Sequence, residues 1–289
     1  MFFSRIRLKP EFYKATHLAK VLSDNTYNIH RLLWDLFPEE KQRNFLYREE
    51  IAREQLVTQA SIHGEPIYYV VSSTRPSSTN PIFQVDEREY HPKIRQGDRL
   101  HFELRANPVI QKAGEKHDVV MDAQLTFLKS LCAEFNLYSL LPSNPKKREF
   151  KKVLLAQGGR ALDIRLTALL KDNYIYAERL NQTMQLSDKL DWSLKSNIDD
   201  ALENWLCRKG AQLHGFSLKM DKYGQFKLQN SAYRWQTIKA DKKMKSGFSS
   251  VDFTGALEIT DVDKFLETLF KGIGRAKAFG CGLLLIRRI

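Results

Sequence analysis

The chain has 289 residues, enough for one large domain or two small ones with a real core. Lys and Arg number 46 against 34 Asp and Glu, a formal charge of +12, which favours a polyanionic partner such as nucleic acid or an anionic membrane surface. Cys132, Cys207 and Cys281 lie far apart, which argues against a disulfide framework or a cysteine zinc site. No segment is long and apolar enough to span a bilayer, and Arg5 and Arg7 close behind two phenylalanines leave no signal-peptide apolar stretch. The expectation is a reduced, cytoplasmic protein that does not enter the membrane.

Residues 2–9 alternate, with Phe2, Ser4, Ile6 and Leu8 on one face and Phe3, Arg5, Arg7 and Lys9 on the other, as in a strand. Helical spacing follows through Phe12, Ala15, Leu18, Ala19 and Leu22, and a second helix is predicted from Tyr27 to Phe37, stopped by Pro38. Strands are predicted at Asn44–Glu49, Pro66–Ser73 and Arg99–Arg105. Residues 74–97, with Pro76, Pro81 and Pro92 among several Ser and Thr, read as loop. That order fits a ferredoxin-like (RRM-like) unit whose second helix is missing or degraded.

Near the C-terminus the theme returns. A helix at Asp199–Lys209 precedes strands at Phe216–Asp221, Gln225–Leu228, Tyr233–Ile238 and Val251–Ile259. A helix from Val262 to Phe270 buries Val262, Phe265, Leu266 and Leu269, and the strand Leu283–Arg288 ends the chain. Between the halves, about 119–198 is helix-rich, with Leu125, Leu128, Leu131 and Phe135, then Leu162, Leu166, Leu169 and Leu170. It also holds the basic run 146–152. The predicted fold is α+β: tandem ferredoxin-like domains with an inserted helical subdomain. The first domain is residues 1–97 and the second 98–289, with the insertion at about 119–198.

Three constellations could carry chemistry. On the helix 27–37, Tyr27, His30 and Trp34 fall in one narrow sector beside the apolar face of Ile29, Leu32, Leu33 and Leu36. A phenol and an imidazole one turn apart can move protons and hold a substrate oxygen. On spacing alone, an ordinary amphipathic helix with a half-buried His–Tyr pair is the simpler account. The second is Gly272-Ile273-Gly274-Arg275-Ala276-Lys277-Ala278-Phe279-Gly280-Cys281-Gly282. Gly272, Gly274, Gly280 and Gly282 let backbone N–H groups converge on an anion, and Arg275 and Lys277 add charge there. It is neither a dinucleotide fingerprint nor a Walker A loop, and a helix cap followed by a tight turn explains the glycines equally well. The third is Arg105-Ala106-Asn107-Pro108, a strand end whose Arg105 and Asn107 either reach RNA or serve the strand exit. His117, Asp118 and Asp122 match no standard metal-ligand spacing. The run 146–152 is either a solvated face or a contact to backbone phosphate.

Taken together the residues resemble the CRISPR-associated endoribonuclease of type I-E systems, the CasE family. The resemblance rests on Phe2–Leu8, on Tyr27-x-x-His30 followed by Leu33-Trp34-x-Leu36-Phe37, and on Phe45-Leu46-Tyr47-Arg48. It continues in Leu104-Arg105-Ala106-Asn107-Pro108, Ser250-Val251-Asp252-Phe253-x-Gly255 and Gly272–Leu285. It covers about 1–118 and 200–289. It implies two ferredoxin-like domains and metal-independent cleavage of the repeat hairpin in precursor CRISPR RNA, with no cofactor. It also implies retention of the mature crRNA and assembly with the other subunits of the Cascade complex. By residue match, His30 is the general acid/base and Tyr27 its neighbour, and the glycine segment is an RNA-binding element. Some members place a lysine five residues after this histidine. Here that position is Asp35, so a cation would have to come from elsewhere, such as Arg31 or Lys277. The competing reading is a non-catalytic RNA-hairpin-binding protein with tandem RRM-like domains, although no RNP1-like run is present.

Overall fold

A computed structural model of the chain describes residues 1–10, 26–52, 65–180, 184–221, 226–240 and 245–289. The helix expected around 12–22 lies outside the described residues. Four strands, β1 (Phe2–Leu8), β2 (Phe45–Ala52), β3 (Glu65–Ser72) and β4 (Phe83–Glu89), form the first sheet in the order β2-β3-β1-β4, every neighbour antiparallel. This is the ferredoxin-like order. The alternation read in β1 is the one the structure uses: Ser4, Ile6 and Leu8 are buried and Arg5 is exposed.

Strand β4 corrects the expectation of loop across 74–97. Its sequence, Phe-Gln-Val-Asp-Glu-Arg-Glu, carries little apolar alternation, and it occupies a sheet edge where burial is incomplete. Asp86 accepts from Arg5 at 2.9 Å and from Arg7 at 3.2 Å, so charges on the neighbouring strand hold it. Those partners are some 80 residues away in sequence and invisible to any local window.

Helix α1 (Thr26–Trp34) packs its Ile29 and Leu33 against the sheet in a core with Ile6, Leu8, Leu36, Phe37, Phe45, Tyr47, Tyr68, Val70 and Phe83. The helix stops earlier than predicted. Leu36 and Phe37 donate to Leu33 and Trp34, at 3.2 and 2.8 Å, so the last turn tightens before Pro38.

Strands β5 (Arg99–Ala106), β8 (Phe216–Leu218), β9 (Leu228–Ala240), β10 (Lys245–Ile259) and β11 (Leu284–Arg288) make the second sheet, in the order β11-β5-β10-β8 with β9 also on β10. Helix α7 (Val262–Lys271) precedes β11; Asp261 caps it by accepting from the Lys264 N–H, and Phe265 and Leu269 are buried. The ribbon β9–β10 is longer than the short strands predicted, pairing from Gly255 with Leu228 out to Lys245 with Ala240; Gln225, the start of one predicted strand, lies outside the described residues. The fold is α+β, with tandem ferredoxin-like domains.

The chain divides into two compact units. One holds Met1–Pro108 and Cys207–Ile289, that is, both sheets. The other, Val109–Leu206, holds a hairpin, β6 (Val109–Lys112) with β7 (Glu115–Asp118), and the helices α2 (Val119–Glu134), α3 (Lys147–Gln157), α4 (Gly159–Lys171), α5 (Tyr174–Ala177) and most of α6 (Leu186–Leu213). Of the leucines read at helical spacing, Leu128, Leu131, Leu162, Leu166 and Leu170 are buried with Phe150 and Leu154. Asp118, considered for a metal, caps α2 by accepting from Met121 N–H, and Asp122 pairs with Lys112 at 2.5 Å.

Within the two-sheet unit, the face of the first sheet opposite α1 is covered. Leu46 and Val71 pack with Leu283, flanked by Phe3, Tyr69, Phe270 and Leu285. That face therefore does not offer Phe3 and Tyr69 to a nucleobase in the manner of an RRM platform. No helix of the described residues is long and apolar enough to cross a membrane.

Candidate functional site

The site forms where α1, β2 and the glycine segment meet. Phe45 and Tyr47 alternate on the face of β2 that α1 covers, because a strand repeats its facing every two residues. His30 is set into this aromatic wall. Its ring stacks on Phe45 with centroids 5.6 Å apart, meets the edge of Trp34 at 5.4 Å and lies 6.5 Å from Tyr47. Only 8 % of the residue remains exposed. Burial first, and the Arg43 cation second, hold the imidazole below its ordinary pKa, so it is neutral at pH 7. A neutral imidazole can accept a proton, which suits general acid/base work. Tyr27 lies one turn earlier on α1, and its side chain falls outside the described residues.

The glycine segment closes on itself. Ile273 N–H donates to Gly282 O at 2.9 Å, and Gly282 N–H to Arg105 O at 2.7 Å. Gly282 has φ +93°, and a Cβ there would stand 2.9 Å from Ile273 O, so both the turn and the close approach require glycine. Gly280 has φ +77° and lies against the Tyr47 ring, which a Cβ would meet at 3.2 Å. Gly272 and Gly274 also have positive φ in this closed segment. The Tyr47 hydroxyl donates to Ala278 O at 3.3 Å and so fastens the short 3-10 turn Lys277–Phe279 over β2.

Several N–H groups of the segment, those of Gly272, Ile273, Phe279 and Gly282, are spent on carbonyls of the protein itself. Those N–H groups serve the shape of the segment, and Arg275 and Lys277 supply its side-chain charge. Lys277 is half-buried; desolvation, then Arg43 and Lys271, lower its pKa. Arg275 forms an isolated bridge with Asn107 through the backbone.

Arg105 and Asn107 belong to the same assembly but face the protein. The Arg105 guanidinium grips Asp252 with two bonds, at 2.7 and 3.0 Å, and donates a third to Glu49 O at 3.0 Å. Asn107 is buried and donates to Ser249 O at 2.7 Å. Both hold the strand end on which the glycine segment hangs. The structure thus gathers His30, the glycine segment, Arg105 and Asn107 in one region, with only His30 and the Lys277 turn at its aromatic wall. Cys281 is fully buried in the segment, and burial pushes its thiol up to about 12, which makes it inert.

Sequence reasoning missed Tyr47 and Arg43 as members of the site. Tyr47 was legible as an alternating strand residue, but nothing local showed that its hydroxyl meets a segment 231 residues away. Among the described residues no group of three or more His, Cys, Asp or Glu side chains gathers to hold a metal ion.

Comparison with known proteins follows this geometry. The sequence model of a family described as CRISPR associated protein matches residues 1–288. A solved structure of the CRISPR endoribonuclease Cse3 bound to a 19-nucleotide RNA is similar in fold, with 20% identity, coverage of 99% of this chain and 100% of that one, and a TM-score of 0.59. A Thermus thermophilus Cse3 bound to an RNA representing a pre-cleavage complex is likewise similar, with 20% identity, coverage of 99% and 98%, and a TM-score of 0.56. No curated protein matches the chain.

Proposed function

The chain belongs to this CRISPR-associated protein family, and on that premise we propose that it is the type I-E (CasE) endoribonuclease that cuts the repeat hairpin of precursor CRISPR RNA. The observation that carries the reading is His30, held neutral in an aromatic wall beside a closed, cation-bearing glycine segment. The RNA-bound Cse3 structures of like fold support it.

In the proposed reaction the ribose 2′-OH attacks the adjacent phosphorus in line. The 2′-O–P bond forms, the P–O5′ bond breaks, and the products are a 2′,3′-cyclic phosphate (or, after hydrolysis, a 3′-phosphate) and a 5′-OH. The 2′-OH proton must leave and the 5′-oxygen must gain one; His30 serves at least one of these transfers. Tyr27 assists as its neighbour on α1. Neither transfer calls on a metal ion or other cofactor. Arg275 and Lys277 contact RNA phosphate, and Gly272, Gly274, Gly280 and Gly282 give the segment its shape. Arg105 and Asn107 position that segment through Asp252 and Ser249. Residues 1–97 and 98–289 are the two functional halves. The cut product stays bound as the mature crRNA within the Cascade complex.

The test is cleavage of the repeat hairpin of the protein's own CRISPR array in EDTA, beside the same hairpin with 2′-deoxy at the scissile nucleotide. The expected result is cutting of the all-ribose RNA alone. Tight binding with no cutting of either would make the protein a hairpin binder without activity. Cutting of both would remove the 2′-OH from the mechanism.

A further inference from the structure

Some cations at the site are compensated by carboxylates and others are not. Arg48 pairs with Glu50 and with Glu103, and Arg105 grips Asp252. Among the described residues no carboxylate forms an ion pair with Arg43 or Lys277. Arg43 nonetheless acts electrostatically on His30, on Tyr47 and on Lys277.

Geometry explains how Arg43 arrives there. Ser73 N–H donates to Asn44 O at 3.0 Å, which carries the β2–β3 pairing one residue beyond Phe45. The Asn44 side chain donates to Thr74 and pins the chain at that point. Arg43, exposed and two residues before β2, is in phase with Phe45 and Tyr47, whose face meets His30. Lys277 reaches the same place from the other side, in the turn fastened by the Tyr47 hydroxyl to Ala278 O. Among the described side chains Arg43 is the cation that acts on His30, Tyr47 lies 6.5 Å from its ring, and Lys277 of the glycine segment stands near enough to Arg43 to feel its charge. Phe45 and Trp34 complete the wall without charge. Like charges set together with no counter-ion among the described residues repel, and an anion between them relieves that repulsion.

We propose that Arg43 and Lys277 form a two-cation clamp for the scissile phosphate, set beside His30. The clamp rests on the endoribonuclease reading above. It takes the role for which Asp35 is unsuited, and it assigns that role to Arg43, a residue in neither of the sequence motifs that mark the site. Negative charge on the non-bridging oxygens grows as the 2′-oxygen adds, so fixed cations stabilise the transition state more than the bound substrate.

The experiment compares wild type, Arg43→Ala, Arg43→Lys and His30→Ala in single-turnover cleavage of the array's repeat hairpin, with affinity measured on the 2′-deoxy hairpin. Arg43→Ala is expected to slow cleavage about 10²-fold while affinity for the uncut hairpin changes little. Arg43→Lys, which keeps the charge, should recover most of the rate. An NMR titration of the His30 imidazole supplies a readout independent of turnover. Removal of Arg43 takes away a cation that disfavours the protonated ring, so the His30 pKa must rise and its limb of the pH–rate profile must move to higher pH. A wild-type rate in Arg43→Ala, with His30→Ala inactive, overturns the clamp and leaves the endoribonuclease standing. Equal losses of rate and affinity reduce Arg43 to an RNA contact and also overturn it. No cutting by wild type removes both.

Discussion

The two compact units carry very different net charge. Residues 109–206 carry fourteen Lys and Arg against thirteen Asp and Glu, a net of +1, so +11 of the chain's +12 belongs to the two-sheet unit. Both units hold ion pairs: Lys151 with Asp191, Arg165 with Glu134, Lys189 with Asp163 and Lys195 with Asp199 in the helical one, and Arg5 with Asp86, Arg105 with Asp252 and Lys219 with Glu258 in the other. Part of the basic run is used internally, while Arg148 and Lys152 stay exposed. Lys147 is bonded to Gln124, Phe150 is in the core, and the Glu149 carboxylate accepts from the Lys146 N–H. In the two-sheet unit Arg43, Lys277 and Arg275 form no ion pair with a described residue. The difference teaches that overall charge names a class of partner, while only the local balance of cation and acid shows where that partner can dock.

Three experiments would break or sharpen this contrast. The largest effect is expected from His30→Ala, which should slow hairpin cleavage by about 10²–10⁴-fold with affinity unchanged. The double variant Arg148→Ala/Lys152→Ala, on the exposed face of α3, should cut at the wild-type rate. A wild-type rate in His30→Ala would sink the acid/base assignment. Next comes stability. Leu162 is fully buried in the helical unit, so Leu162→Ala should cost about 2–5 kcal/mol by denaturant titration, with cleavage by the folded fraction intact. A matching loss of cleavage in folded protein would tie the helical unit to the chemistry. The smallest effect concerns salt. Arg275→Ala should flatten the log–log salt dependence of hairpin binding by about one unit, and Arg148→Ala should leave it alone. Equal slopes for the two variants would erase the distinction between the units.

The sequence was informative wherever a local pattern carries the cause. The alternation in Phe2–Leu8 and the amphipathic faces of α1 and α7 follow from residue spacing and backbone sterics, and their order already implied tandem ferredoxin-like units. His30 and the glycine segment were visible as candidates for the same reason: a Tyr-x-x-His pair and clustered glycines are short-range signals. Strand β4 was not visible, since a polar edge strand depends on Arg5 and Arg7 of a distant neighbour. The outer half of the β9–β10 ribbon was hidden likewise by its polar sequence. The roles of Arg105 and Asn107 turned on Asp252 and Ser249, more than 140 residues away. Tertiary structure alone decided that Tyr47 fastens the Lys277 turn and that Arg43 stands beside His30. Chain segments converge there through sheet register and burial, and no window of sequence records which side chains long-range pairing will bring face to face.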